Sequence, residues 1–211
     1  MHEIILYNYF RSSAAYRVRI ALNLKNISYE RQAVHLVKGE HKRPEYAALN
    51  PQQLVPAIKI DGHVFTQSLA IIEYLEETRP EPPLLPRDAV HRAQARALAD
   101  LICMDIHPLN NVRVLKAITA LGASEAQKNA WIAQWICAGF DAIEPQLGQH
   151  RFAAGHSPGL VDICLVPQVF SARRFNVDMS AYPRINEIDL ACNELEAFAH
   201  AHPKAQPDYE V

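Results

Sequence analysis

At 211 residues, with 49% hydrophobic and 21% charged residues and a formal net charge of −2, the chain is long enough to bury one core or two smaller ones. That balance offers no case for nucleic acid or an anionic membrane as a partner. No apolar run approaches the roughly 20 residues that span a bilayer.

The first pattern is an apolar run, Ile4-Ile5-Leu6-Tyr7, read as a buried strand. No signal-peptide layout precedes it, so a cytoplasmic location is expected. A helix follows, with Val18, Ala21, Leu22 and Leu24 on one face. Arg11-Ser12-Ser13 therefore lie where a strand becomes a helix, at free N–H groups and the positive end of a helix dipole. Such a corner favours a thiolate or carboxylate; equally, Ser12 or Ser13 serves only as the helix cap. Tyr29 to Leu36 reads as a second strand, and Gly39 to Leu49 as a polar, irregular stretch ending in the turn signal Asn50-Pro51. Leu54 to Ile60 and His63 to Thr66 flank Asp61-Gly62, a hairpin signal, and are expected to pair antiparallel. Ser68 is expected to cap a helix that ends before Pro80. The order β-α-β-α-β-β-α describes a small α/β layer over residues 1–80.

Glu81-Pro82-Pro83-Leu84-Leu85-Pro86 marks a linker, taken as 81–87, between that layer and an all-helical second domain, 88–211. Helical periodicity runs from Ala89 to about Leu121 and from Ser124 to Leu147. Leu160 to Phe170 is apolar nearly all round, as for a helix at the centre of a bundle. Within it Asp162 stands three residues after Gly159, where a carboxylate can reach back to the helix start. Short helices around 185–192 and 195–200 follow, and the polar tail Pro203 to Val211 is expected to fray. Pro108 and Pro167 should each interrupt their helix, Pro108 leaving the Met104 carbonyl without its usual partner. A kink there would gather His107, Asn111 and Arg113 at a polar cleft, or leave them solvated at a surface. Cys103, Cys137, Cys164 and Cys192 stand singly, and the ten histidines show no ligand spacing. Isolated reduced thiols and no metal are expected.

Taken together, these pieces resemble the glutathione transferase architecture: a thioredoxin-like α/β N-terminal domain followed by an all-α bundle. The details are similar to the zeta class, the family of maleylacetoacetate and maleylpyruvate isomerases. The matching residues are Arg11-Ser12-Ser13 with Arg17 to Leu22, Leu49-Asn50-Pro51, Val55-Pro56, Gln67 to Leu75, Ile106 to Asn111, Val161-Asp162, Leu165-Val166-Pro167-Gln168 and Arg174-Phe175. They span essentially the whole chain in order.

The resemblance implies glutathione as cofactor and a homodimer. It implies a cis Val55-Pro56 bond that exposes the Val55 backbone to the cysteinyl backbone of glutathione. It also implies a γ-glutamyl carboxylate at Gln67 and Ser68, and contacts to the tripeptide from His41, His107 and Asn111. The thiol would meet Ser12 and Ser13, whose hydrogen bonds and helix dipole lower a thiol pKa. The family commonly reads Ser-Ser-Cys-Ser here, whereas this chain has Ser12-Ser13-Ala14-Ala15. Because glutathione brings its own sulfur, that cysteine is read as dispensable. The implied reaction is a glutathione-dependent cis–trans isomerisation of maleylacetoacetate to fumarylacetoacetate, a step of tyrosine catabolism. Maleylpyruvate isomerisation in the gentisate pathway, or conjugation of glutathione to small electrophiles such as α-halo acids, are the alternatives. A dicarboxylic keto acid wants fixed cations, and Arg11, Arg113 and Arg174 are the candidates. Arg17 and Arg19 are read as structural or interfacial.

Overall fold

The opening apolar run forms an inner strand because both of its edges are paired. In the computed structural model, which describes residues 4–210, β1 (Ile5–Asn8) runs parallel to β2 (Glu30–Ala33) and antiparallel to β3 (Ala57–Ile60). A tight turn at Asp61-Gly62, both at positive φ (52° and 79°), returns the chain into β4 (His63–Thr66). The strand order is β2-β1-β3-β4. Helices α1 (Ser13–Leu24), α2 (Pro44–Leu49) and α3 (Ser68–Thr78) complete the expected β-α-β-α-β-β-α order. The stretch from Gly39 to Leu49 is more regular than its polarity suggests. A 3-10 turn, Glu40–Lys42, leads into α2, which Pro44 starts with its pre-set φ.

The chain divides into two compact units, and the division differs from a simple N- and C-terminal split. One unit comprises Met1–Leu84 and Glu194–Val211, the other Leu85–Asn193. The expected second domain, 88–211, is therefore too long at its end, because α9 (Glu196–Ala201) packs on α1. Asn23 Nδ2 donates to Ala197 O at 2.8 Å, Arg19 Nε donates to Ala201 O at 2.8 Å, and Phe198 is fully buried. The tail is not frayed over its described residues. Asp208 accepts from the Phe10 N–H at 2.9 Å, Tyr209 meets the Phe10 ring edge-on, and Glu210 bonds Lys38 Nζ at 2.5 Å. Val211 lies outside the described residues. The proline-rich linker is likewise tied down at its start. Fully buried Lys25 donates to Glu76 and to the carbonyls of Arg79 and Pro82, while the Leu84 N–H donates to Glu76.

The second unit is helical: α4 (Ala89–Asp100), α5 (Val112–Ala120), α6 (Glu125–Ile143), α7 (Leu160–Arg174) and α8 (Pro183–Asn193). Ser124 and Gln127 form a reciprocal capping box at the start of α6. The buried centre is α7, where Asp162 accepts from the Gly159 N–H and the Ala153 N–H, each at 2.8 Å. Pro167 stays inside α7, which continues to Arg174. At Pro108 the outcome is different. The chain widens from α4 into a π-helical segment, Leu101–Ile106, closed by the His107 N–H on Ile102 O at 3.0 Å, and then tightens into a 3-10 turn, Pro108–Asn110. Gly139 on α6 makes room for this bulge, since a Cβ there would sit 2.1 Å from Ile106 Cδ1.

Candidate active site

In the first unit, strand register gathers the sequence candidates at one end of the sheet. Ala57 pairs with Tyr7 of β1 and with Thr66 of β4. The turn out of β1 (Tyr9 to Ser12), the entry to β3 (Val55-Pro56) and the turn out of β4 (Gln67-Ser68) therefore share that end. Side chains reinforce this grouping. Tyr9, Phe10, Val34, Tyr46 and Val55 form one buried cluster, and Gln67 Nε2 donates to Gln52 Oε1 at 2.8 Å.

Each of the three segments presents open hydrogen-bonding groups. At α1, Ser12 is the N-cap, and its Oγ accepts from the Ala15 N–H at 3.2 Å. The N–H groups of Ser13 and Ala14 have no partner among the described residues, nor does the Ser13 hydroxyl. No acidic side chain in that first turn offsets the positive helix end. Arg11, exposed, lies beside it with its guanidinium carbon 5.9 Å from the Tyr9 ring centre and 5.7 Å from that of Phe10.

At β3, the Val55-Pro56 bond is cis, and the Val55 N–H and C=O have no partner among the described residues. The preceding carbonyl, Leu54 O, is occupied by the Tyr46 hydroxyl at 2.5 Å and by Asn50 Nδ2 at 2.7 Å. Burial pushes the Tyr46 phenol up to about 12, so it stays a donor. Leu54 is thus pinned while Val55 offers a donor and an acceptor, the pair an extended peptide backbone requires.

At α3 the expected cap is displaced by one residue. Gln67 is the N-cap, in a left-handed backbone conformation (φ 69°) unusual for a side chain of its size, and it makes no side-chain cap bond. Ser68 is the first helical residue, buried, with its Oγ accepting from Arg17 Nη1 at 3.3 Å. The N–H groups of Ser68 and Leu69 are open among the described residues. His41, half-buried, belongs to the 3-10 turn before α2.

The remaining candidates lie in the second unit. His107 and Asn111 bracket the 3-10 turn at Pro108, and Asn111 caps α5 by accepting the Arg113 N–H at 3.1 Å. Trp131 Nε1 holds the turn to α6 through Leu109 O at 3.0 Å. Arg113 is exposed on the first turn of α5. Arg174 is exposed at the end of α7, its guanidinium carbon 4.4 Å from the Phe175 ring centre. The sequence reading missed the π segment, the strained Gln67 backbone and the contact of Arg17 with Ser68. Only Pro108 signalled the first, and no local pattern signals the other two. Among the described residues, no group of three or more His, Cys, Asp or Glu side chains could hold a metal ion, and no helix is long and apolar enough to cross a membrane.

Comparison with known proteins identifies the family. Residues 6–83 match the family model of the glutathione S-transferase N-terminal domain. The chain is 50% identical over 214 residues to the probable maleylacetoacetate isomerase of Vibrio cholerae serotype O1, covering 99% of each. It is 53% identical, with a TM-score of 0.96, to a solved holo maleylpyruvate isomerase described as a bacterial zeta-class glutathione S-transferase, covering 98% of this chain and 100% of that one. The maleylacetoacetate isomerase of Anaeromyxobacter dehalogenans 2CP-1, solved with glutathione in its active site, is 40% identical with a TM-score of 0.90, covering 99% and 98%. Likeness of this extent and depth places the chain in the glutathione transferase family, within its zeta class of maleylacetoacetate and maleylpyruvate isomerases.

Proposed function

We propose that the protein is a glutathione-dependent isomerase that converts maleylacetoacetate to fumarylacetoacetate. The observation that carries this reading is the set of open groups at one end of the sheet: the α1 N-terminus with its two serines, the Val55 N–H and C=O, and the α3 N-terminus. They match the three parts of an extended γ-glutamyl-cysteinyl-glycine, namely its thiol, its cysteinyl backbone and its γ-glutamyl carboxylate. Val55 would pair with the cysteinyl backbone, and Ser68 and Gln67 would hold the carboxylate. His41, His107 and Asn111 would add contacts to the tripeptide. Bound there, glutathione supplies a thiol that adds reversibly to the activated double bond, so that the bond can rotate and the cofactor is recovered.

The protein's own task is electrostatic. Ser12 and Ser13 donate hydroxyl protons towards the sulfur position, and the open Ser13 and Ala14 N–H groups add to the positive field there. Both favour the charged form of a thiol. Arg11, Arg113 and Arg174 supply fixed cations for the two carboxylates and the developing enolate of the substrate. Ala14 in place of the family's cysteine is compatible with this division of labour, because no protein nucleophile is needed.

Maleylpyruvate is the second substrate reading, supported by the 53% identity to a maleylpyruvate isomerase. Ultraviolet assays on both maleyl acids with sub-stoichiometric glutathione test the proposal. Turnover of either acid, with glutathione unconsumed, is the expected result. A requirement for stoichiometric glutathione, or activity only on α-halo acids, would replace the isomerase with a conjugating transferase. The assembly inferred from the family is a homodimer, which light scattering checks. The compartment inferred from the sequence is the reducing cytoplasm.

A further inference from the structure

Helix α1 carries two buried arginines, and their surroundings differ. Arg19, 0% exposed, places its guanidinium on four acceptors: Ala201 O at 2.8 Å, Asn8 Oδ1 at 2.5 Å, Phe10 O at 3.1 Å and Tyr9 O at 3.5 Å. Lys25, the buried cation at the end of α1, is neutralised by Glu76 at 3.0 Å. Arg17 is 2% exposed and has a single acceptor, Ser68 Oγ at 3.3 Å. Its Nε and Nη2 are buried without a hydrogen-bond partner, and no carboxylate among the described residues pairs with it. A guanidinium enclosed with idle donors and no counter-charge is costly to fold around. Such a group is expected where an external anion completes it.

The position of that guanidinium names the anion. Its one bond is to the first residue of α3, where the Ser68 and Leu69 N–H groups are open and the helix dipole is positive. Because Ser68 Oγ already accepts from Arg17, the Ser68 proton is turned outward and is available to donate. We propose that Arg17 is a cofactor-binding residue, the buried counter-charge for the α-carboxylate of the γ-glutamyl group of glutathione. This rests on the reading above that the α3 N-terminus receives that carboxylate. Arg17 is then more than a structural residue of α1. It sets the direction of the Ser68 hydroxyl and neutralises the ligand from beneath, leaving the exposed arginines for the substrate.

Calorimetric titration of glutathione against 4-aminobutyryl-cysteinyl-glycine, the same tripeptide without its α-carboxylate, tests the assignment. The native protein is expected to prefer glutathione by about tenfold or more, the scale of a buried charge pair. Arg17→Met should bind the two ligands within about twofold of each other, all of the loss falling on glutathione. Should Arg17→Met fail to fold, Arg17→Gln gives the same comparison, since it keeps a donor for Ser68 but no charge. A variant that keeps the native preference, or one that weakens both ligands equally, overturns the role of Arg17 and leaves the α3 site standing. A native protein that binds both ligands alike overturns the α3 carboxylate site itself, and Arg17 with it.

Discussion

Ser12 and Ser13 are adjacent in sequence but differ in what their hydroxyls do. Ser12 Oγ closes the first turn of α1 by accepting from the Ala15 N–H, a cap worth about 1 kcal/mol, while the Ser13 hydroxyl has no partner among the described residues. Both retain a proton to donate to a thiolate. Ser12→Ala should therefore lower stability by about 1 kcal/mol as well as turnover, whereas Ser13→Ala should lower turnover alone. Loss of a hydrogen bond to a charged group corresponds to roughly tenfold in rate. Urea unfolding and the maleyl-acid assay separate the two effects, and unchanged turnover in both variants would remove the serines from the mechanism. Arg11 stands exposed beside this corner against the Tyr9 and Phe10 rings. Arg11→Ala is expected to raise the KM for the acid substrate, with little change in the Kd for glutathione. Equal substrate KM values for variant and native protein would clear Arg11 of substrate binding.

At the scale of elements, α7 depends on one carboxylate. Asp162 is fully buried and accepts the Gly159 and Ala153 N–H groups, joining the helix start to the preceding loop. Burial pushes its pKa up to about 6, against the opposing pull of those two donors. An unfolded aspartate titrates near 3.9. Between about pH 4 and pH 6 the folded chain therefore holds a proton that the unfolded chain has released, and the stability from this group falls as pH rises through that window. Asp162→Asn should be less stable at neutral pH, because the amide cannot accept both N–H groups, by about 1–3 kcal/mol. It should also lose that part of the pH dependence. Urea midpoints across pH 4 to 7 check both, and parallel profiles for variant and native protein would contradict the assignment. The same burial, with Asp162 nearby, pushes the Cys192 thiol well above its ordinary range, so this cysteine is an inert core residue.

At the scale of the whole molecule, the chain end returns to the unit in which the chain began. Phe198 of α9 is fully buried against the α1 side of that unit. Phe198→Ala is expected to cost about 3–5 kcal/mol, read from denaturant unfolding, because a large void would remain under α1. A loss below about 1 kcal/mol would mean that α9 is only loosely docked. The α/β layer was legible in the sequence because its signals are local. Asp61-Gly62 specifies a tight hairpin, the apolar run from Ile4 specifies an inner strand, and Pro80 ends α3 within two residues of where the helix stops. The strand-to-helix corner that carries Ser12 and Ser13 was legible for the same reason, since two serines between a strand and a helix are read from adjacent residues. Local pattern could not show that a polar tail would bond Phe10 and Lys38, nor that the chain would widen into a π turn before Pro108. These features come from groups brought together across long sequence separations. The sequence by itself determined the element order, a serine cap on α1 at Ser12 or Ser13, the reach of Asp162 back to the start of α7, and the residue types that suit glutathione. The tertiary structure alone decided that the open groups of α1, β3 and α3 share one end of the sheet. It also left Arg17 buried beneath Ser68 without a counter-charge, because strand register and helix packing set distances that residue order does not contain.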